Sequence, residues 1–303
     1  MKRSSPKVSI GLPVYNGERY LEAAVNSILD QSYDDFELII SDNASGDATP
    51  DICRYYLERD KRIRFVQNEK NLGATWNFNR VLHLSTGEYF KWASYDDLCA
   101  TDFIGKCVEV LDRFPDVTLC YTKIADIDET GEILKIKSSN PCNCSDNLQE
   151  RFHSLIRMDY TCEQIFGLIR SNVLKKTKLI GAYSDTDRVL LSELCLYGRF
   201  YEIQEALFFH RIHSQSSVKL FRGRHERTAW FDPFYSGIMV FPYWRQLKEY
   251  VSVINRSSLP RKFKRACYLE MGRWLKNNHI LLLKDMHHNI KQMIRTYSTY
   301  AVN

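Results

Sequence analysis

The sequence predicts an α/β protein, a mainly parallel central sheet covered by helices on both faces, followed by a helical extension. Three observations point there. Across residues 1–125, short β-rich runs alternate with helical periodicities. The runs end in turn-forming or acidic residues, as strands feeding crossover helices do. The charge balance then reverses near residue 218: residues 219–303 carry 16 Lys and Arg against 5 Asp and Glu, and the remainder 26 against 32.

The first strand is read as Val8 to Leu12, ending at the turn Pro13-Val14-Tyr15-Asn16-Gly17. Leu21, Ala24, Val25, Ile28 and Leu29 follow at helical spacing. Phe36 to Ser41 is the second strand, with Asp42 at its carboxyl end. Thr49 and Pro50 suit the N-cap and first position of the next helix. Ile63 to Val66 is a third strand, leading through Asn71-Leu72-Gly73 into a helix containing Trp76, Val81 and Leu82 that Gly87 closes. Tyr89 to Ala93 is the fourth, running into Ser94-Tyr95-Asp96-Asp97. A helix begins near Thr101, and the strand Val117 to Ile124 follows. Ligands of such sheets bind beyond the carboxyl ends of the strands. Asp42 and the Asp96-Asp97 pair are therefore expected to face one crevice.

From 126 to 218 the pattern is mixed. Asp128-Glu129-Thr130-Gly131 reads as a hairpin turn, Asp187 to Tyr197 as a helix and Ala206 to Arg211 as a strand. The chain thus divides into a domain over 1–218, in two halves at 1–125 and 126–218, and an extension over 219–303. The extension is basic, mainly helical and aromatic: Trp230, Phe231, Phe234, Tyr235, Phe241, Tyr243 and Trp244 cluster within it. Those aromatics either pack on the core or rest on an anionic membrane face. Nucleic acid is not an expected partner, since no nucleic-acid module pattern is present.

The bulk composition sets further bounds. With 303 residues, 44% hydrophobic and 26% charged, the chain can bury a large core without disulfides. Nine cysteines, an odd number scattered through apolar patterns, suggest reduced thiols and a cytoplasmic location. Cys142 and Cys144 lack two further ligands at zinc spacing. The Met1-Lys2-Arg3 start leads straight into a strand, which is not the pattern of a signal peptide. No run approaches the roughly 18 apolar residues of a membrane span. The location expected is cytoplasmic, with peripheral contact at the inner face of a membrane.

Adjacent aspartates alone are ordinary helix-start features. The whole array decides. Val8-Ser9-Ile10-Gly11-Leu12-Pro13-Val14-Tyr15-Asn16-Gly17-Glu18 resembles the opening signature of the family 2 glycosyltransferases, enzymes with the GT-A nucleotide-binding α/β sandwich. The resemblance continues through Ser41-Asp42-Asn43-Ala44-Ser45, Asn71-Leu72-Gly73, Gly87-Glu88-Tyr89, Ser94-Tyr95-Asp96-Asp97, Asp187-Arg188-Val189-Leu190-Leu191 and Arg211-Ile212-His213, covering roughly residues 7–217.

It implies an inverting glycosyltransferase that moves a sugar from a UDP-, GDP- or dTDP-sugar to a glycan or lipid-linked acceptor in polysaccharide or glycoconjugate synthesis. Pro13, Tyr15 and Glu18 would line the nucleoside pocket, with Asp42 on the base and Asn71, Gly73 and Asn79 also on the donor side. Asp96 and His213 would hold Mg²⁺ or Mn²⁺, with Asp97 as a second ligand or its support. Such an ion neutralises a leaving diphosphate. Asp187 stands in the place of the general base, and Asp185 is its rival. By themselves, His213 also reads as a capping or core histidine and Asp187 as a carboxylate at a helix start.

The sequence departs from the family pattern in three places. Ser94 replaces the first acid of Asp-x-Asp, Asn43-Ala44-Ser45 replaces Asp-Gly-Ser, and Phe78-Asn79 replaces Arg-Asn. The rival readings are a sugar-nucleotide nucleotidyltransferase, whose glycine-rich basic loop is missing after the first strand, and a non-catalytic membrane-surface protein on the same fold.

Overall fold

The computed structural model describes residues 5–137, 144–158, 161–221, 223–235 and 240–300. In chain order it builds β1 (Val8–Val14), α1 (Glu18–Leu29), β2 (Phe36–Asp42), α2 (Thr49–Leu57), β3 (Ile63–Gln67), α3 (Ala74–His83) and β4 (Tyr89–Trp92). There follow β5 (Leu98–Cys99), α4 (Phe103–Arg113), β6 (Val117–Ile127), β7 (Ile133–Ile136), α5 (Leu148–Ile156), β8 (Leu168–Arg170), α6 (Ser171–Leu174), α7 (Thr186–Leu194) and β9 (Arg199–Arg211). The extension supplies α8 (Ser217–Leu220), α9 (Arg224–Phe231), α10 (Pro242–Arg256) and the long α11 (Arg261–Tyr300).

One sheet joins the strands in the order β3-β2-β1-β4-β8-β6-β9-β5, with β7 added on β6. β1, β2, β3 and β4 are parallel neighbours, and β6 and β9 pair in parallel; β8 runs antiparallel between β4 and β6. β5 and β7 are antiparallel additions. The sheet is therefore mixed but mostly parallel, as the alternating pattern predicts. The Asp128–Gly131 turn joins β6 to β7, with Gly131 at φ 97°.

Period-two alternation sends the strand side chains to two apolar layers. Leu38 and Ile40 of β2 join Leu21, Val25 and Ile28 of α1 and Phe103, Cys107 and Leu111 of α4 on one face. Ile39, Phe90 and Trp92 face the other way, onto Val81, Phe152, Leu190 and Leu194. Tyr250, Val253, Cys267, Met271 and Trp274 of the extension belong to this second layer. The extension thus completes the core of the preceding 218 residues.

Two local readings differ. Thr49 does not cap α2; its hydroxyl accepts the Gly17 N–H at 2.8 Å, and Asp47 instead takes the Thr49 N–H at 3.0 Å and the Glu18 N–H at 3.1 Å. One aspartate therefore ties the starts of α1 and α2 together. β1 also runs on through Pro13 and Val14, paired with Ser41 and Asp42. Proline is tolerated there because the pairing with β4 ends at Gly11, so at Pro13 the strand has a neighbour on one side only and behaves as an edge. The cysteines among the described residues are free thiols, and Cys142 lies outside those residues.

Candidate active site

The parallel strands deliver their carboxyl ends to one edge of the sheet, so Asp42 (end of β2), Ser94 to Asp97 (after β4) and His213 (after β9) all come to that edge. Two hydrogen-bonded clusters form on it, and a third carboxylate stands on α7.

The first cluster lies beyond β2 and β3. Asp42 is fully buried; one oxygen accepts the Ser45 N–H at 3.1 Å and the Ser45 hydroxyl, and the other accepts the Gln67 amide at 2.9 Å. Asn43 bridges the neighbouring loop: its amide donates to Asn71 Oδ1 at 2.8 Å, and its oxygen accepts Asn68 Nδ2 at 2.8 Å and Leu72 N–H at 3.0 Å. Asn71 Oδ1 also takes the Gly73 N–H at 2.9 Å. Gly73 stands at φ 85°, and a Cβ there would lie 2.6 Å from Pro233 Cδ and 2.7 Å from the Phe231 carbonyl. Only glycine suits such a conformation and approach. The contact also brings the extension over this loop.

The other donor-side residues have distinct places. Pro13 is buried in β1, while Tyr15 is 44% exposed beyond it. Glu18, at the start of α1, accepts the Ala48 N–H at 2.9 Å. Asn79 commits both ends of its amide to the Ile180 backbone, donating at 2.8 Å and accepting at 3.2 Å. Together with the Thr75 hydroxyl, which donates to the Gly181 carbonyl at 3.0 Å, it fixes the segment that leads into α7.

The second cluster gathers residues 117 positions apart: His213 Nε2 lies 2.8 Å from Asp96 Oδ2. The Ser94 hydroxyl donates to the other Asp96 oxygen, so the residue that departs from Asp-x-Asp braces the aspartate it precedes. His213 is buried edge-on against Tyr20 with ring centroids 4.8 Å apart, and its Nδ1 has no hydrogen-bond partner. Asp97 points inward and accepts the Arg211 N–H at 2.9 Å. Burial, together with the charge of Asp96, pushes its carboxyl well above the usual range.

Arg211 ties this loop down. Its guanidinium donates to the Asp96 carbonyl at 2.8 Å and to the Asp128 and Glu129 carbonyls at 3.0 and 2.9 Å, and it lies over the Tyr20 ring. Asp96 offers a carboxylate oxygen, a donor suited to Mg²⁺ or Mn²⁺, and His213 an imidazole nitrogen, a donor that Mg²⁺ rarely takes. Among the described residues no group of three His, Cys, Asp or Glu gathers as a metal cluster. An ion held here would take its remaining ligands from phosphate oxygens and water, as Mg²⁺ commonly does.

Asp187 occupies the first turn of α7, half-buried, and accepts the Arg188 N–H at 2.8 Å. Burial and the neighbouring Asp185 carboxylate raise its acid to about 6. Asp185 itself sits at φ 60°, a left-handed conformation that aspartate tolerates better than most residues. Arg224 of α9 lies 3.1 Å from Asp185 Oδ2, stacks over Tyr243 and donates to Gln246 Oε1 at 3.0 Å. The extension therefore supplies the counter-charge at this rim.

The roles of Asn43, Ser45, Gln67, Arg211 and Arg224 were not read from the sequence. Asn43 and Ser45 at least adjoin Asp42, a local signal. Arg224 offers none, because its partner is 39 residues away across a helix pair.

The family model described as glycosyl transferase family 2 matches residues 9–178. An uncharacterized glycosyltransferase of Haemophilus influenzae is 27% identical over 240 residues, covering 74% of this chain and 71% of that protein. An uncharacterized glycosyltransferase of Methanocaldococcus jannaschii is 33% identical over 132 residues, covering 43% of this chain and 46% of its own length. TuaG of Bacillus subtilis, a putative teichuronic acid biosynthesis glycosyltransferase, is 38% identical over 111 residues, covering 37% and 44%. The chain thus spans less than half the length of these last two relatives. Among solved structures, S. aureus TarS in complex with UDP-GlcNAc superposes with a TM-score of 0.67 at 16% identity, over 94% of this chain and 81% of that one. The mannosyltransferase PcManGT of Pyrobaculum calidifontis, in complex with GDP-Man and Mn²⁺, does so at 0.57 and 16%, over 99% and 82%. At that identity the likeness speaks for the fold.

Proposed function

The chain belongs to glycosyl transferase family 2, and from that premise we propose that it transfers a sugar, with inversion, from a nucleoside diphosphate sugar to an acceptor hydroxyl. The observation that carries the reading is the meeting of Asp96 with His213 on the same sheet edge as the Asp42–Asn43 cluster. Donor classes are suggested by the UDP-GlcNAc of TarS and the GDP-Man of PcManGT, and a role in polysaccharide synthesis by TuaG.

In this reading the loops beyond β2 and β3 hold the nucleoside, with Tyr15 and Glu18 at its margin. Asp96 and His213 would hold a divalent ion, which when bound neutralises charge on the leaving diphosphate. Asp97, Ser94 and Arg211 position them. Asp187 takes the proton of the acceptor hydroxyl as its oxygen attacks the anomeric carbon. The carbon–oxygen bond to the diphosphate breaks in the same displacement, and the nucleoside diphosphate leaves. An acid near 6 is matched to that task, since it is ionised at neutral pH yet basic enough to accept a proton. Asp185 is less suited, because Arg224 already engages its carboxylate.

The nucleotidyltransferase alternative loses support where β1 continues as strand through Pro13 and Val14, in place of a glycine-rich phosphate loop. The test is a screen of UDP-, GDP- and dTDP-sugars for slow hydrolysis with and without Mn²⁺, which needs no acceptor. Mn²⁺-stimulated release of one nucleoside diphosphate is expected; release of none from any donor would overturn the proposal.

A further inference from the structure

The long helix α11 separates its charges in an unusual way. Its two acids, Glu270 and Asp285, both face inward and are 1% and 3% exposed. Glu270 receives Gln149 and His153 of α5 at 2.6 Å each, and Asp285 accepts the Tyr243 N–H of α10 at 2.7 Å. Lys276, Lys284 and Lys291 stand exposed on the same helix, while Arg273, also exposed, reaches back to Glu270 at 2.7 Å. Between these basic residues runs an apolar stripe. Leu269, Ile280, Leu283, Met286, Ile290 and Met293 are 43–66% exposed, and their spacing brings them to one side of a 3.6-residue helix. From Leu269 to Met293 the stripe is about 36 Å long at 1.5 Å per residue. Trp244, 42% exposed, adjoins it with its indole N–H on the Leu282 carbonyl at 3.1 Å.

An amphipathic helix left with an apolar stripe outward needs a covering surface. A second copy of the chain fits poorly: pairing two such stripes would bring lysines against lysines, with every acid of the helix turned inward. An anionic, apolar surface fits on both counts. We propose that α11 lies in the headgroup region of an anionic bilayer, with the stripe sunk toward the acyl chains and Lys284 and Lys291 on lipid phosphates. Basic residues flanking an apolar face are the pattern of interfacial helices, and a Trp at the margin is at home where one end is wet and the other apolar. No helix among the described residues is long and apolar enough to cross a membrane, so the contact is peripheral. The sequence directed attention to the Trp230–Trp244 aromatics; in the structure Trp230 meets Phe231 edge-on and Phe221 at a tilt and Tyr243 lies under Arg224, while Phe234 and Phe241 stay exposed beside the longer stripe of α11.

The test is co-sedimentation of the full chain with vesicles of phosphatidylcholine alone or mixed equally with phosphatidylglycerol. It needs no donor, so it is independent of the proposed reaction. The full chain should pellet with the anionic vesicles and at least tenfold less with the neutral ones. Combined Ile280→Gln, Leu283→Gln and Ile290→Gln should remove the binding while leaving the circular-dichroism melt unchanged, since these side chains touch solvent and Gln is a good helix former. Lys284→Gln with Lys291→Gln should weaken anionic binding and leave the stripe intact. No binding to anionic vesicles, or unchanged binding by the triple variant, would overturn the proposal. So would a dimer in sedimentation velocity that the triple variant abolishes while vesicle binding persists, which would assign the stripe to a second copy.

Discussion

The stretch proposed to hold the donor and the stretch proposed to take the proton are built by opposite means. Beyond β2 and β3 two hydrogen-bonded sets lie side by side: Asp42 holds Ser45 and Gln67, and Asn43 holds Asn68, Asn71 and the Leu72 N–H, with Asn71 in turn on the Gly73 N–H. At the α7 rim, Asp187 and Asp185 are neighbouring carboxylates in a half-buried setting, one of them in a left-handed conformation. The first stretch invests its polar groups in rigidity. The second keeps electrostatic stress: burial, and then the Asp185 charge, raises the Asp187 acid. A binding surface gains from the former, because its shape is fixed before the ligand arrives. A proton acceptor gains from the latter.

The largest effect should come from the Asp96–His213 pair. Asp96→Asn removes the charge facing His213 and should lower metal-stimulated turnover by about 10²- to 10³-fold, the range expected when several kcal/mol of charge stabilisation are lost. Titration of a nucleoside diphosphate with and without Mn²⁺ should show the metal-dependent part of its affinity gone. Retained metal-dependent affinity would remove Asp96 from the site.

The rigid stretch should lose stability when cut. Asn43→Ala leaves the Asn68 amide and the Leu72 N–H without their partner, and an unsatisfied buried group costs about 1–3 kcal/mol. A loss of about 2–3 kcal/mol in urea unfolding is expected, together with weaker nucleotide binding. A neutral result would mean that the set holds its shape without its central member.

The stressed stretch should behave in the opposite sense. The Asp187 acid is raised from the usual 3.8 to about 6, so the folded state holds a proton that the unfolded chain has released. Its contribution to stability therefore falls as pH rises from about 4 through 6, and the penalty is complete above that. Asp187→Asn should stabilise the protein at pH 7.5 by about 1–3 kcal/mol, the gain fading toward pH 4. Thermal melts across this range decide it, and a less stable variant at pH 7.5 would contradict the stress. Smallest is the Asp185–Arg224 pair. Its partly buried geometry supports a coupling of about 1 kcal/mol in a double-mutant cycle of Asp185→Asn and Arg224→Gln.

The contrast also explains what was legible in the sequence. β1 to β4 could be read because their apolar runs are bracketed by turn residues, and Asp42, Asp96 and His213 because each lies at or just past a strand's carboxyl end, within a motif that resembles the family's. β5 and β8, two and three residues long, are too short to show any period. β9 was read only from Ala206 because its first half, Arg199 to Glu205, mixes charge with shifted register against β6. Asn79 reads as a donor residue by its place in the chain, whereas its amide is spent on Ile180, a partner 101 residues on. Roles fixed by such distant partners leave no local pattern. The basic, helical character of the extension was visible; its inward acids were not, because only packing decides which way Glu270 and Asp285 face.

The central claim is that Asp187 accepts the acceptor's proton. Its most direct test is a comparison of Asp187→Asn with Asp185→Asn for turnover and donor affinity, using whichever donor the hydrolysis screen identifies. The account predicts that Asp187→Asn lowers turnover by roughly 10²-fold or more with donor affinity nearly unchanged. It also predicts a wild-type rate that falls below a pH of about 6, and an Asp185→Asn variant that retains substantial turnover. Near-normal transfer by Asp187→Asn, with transfer abolished in Asp185→Asn, would contradict it.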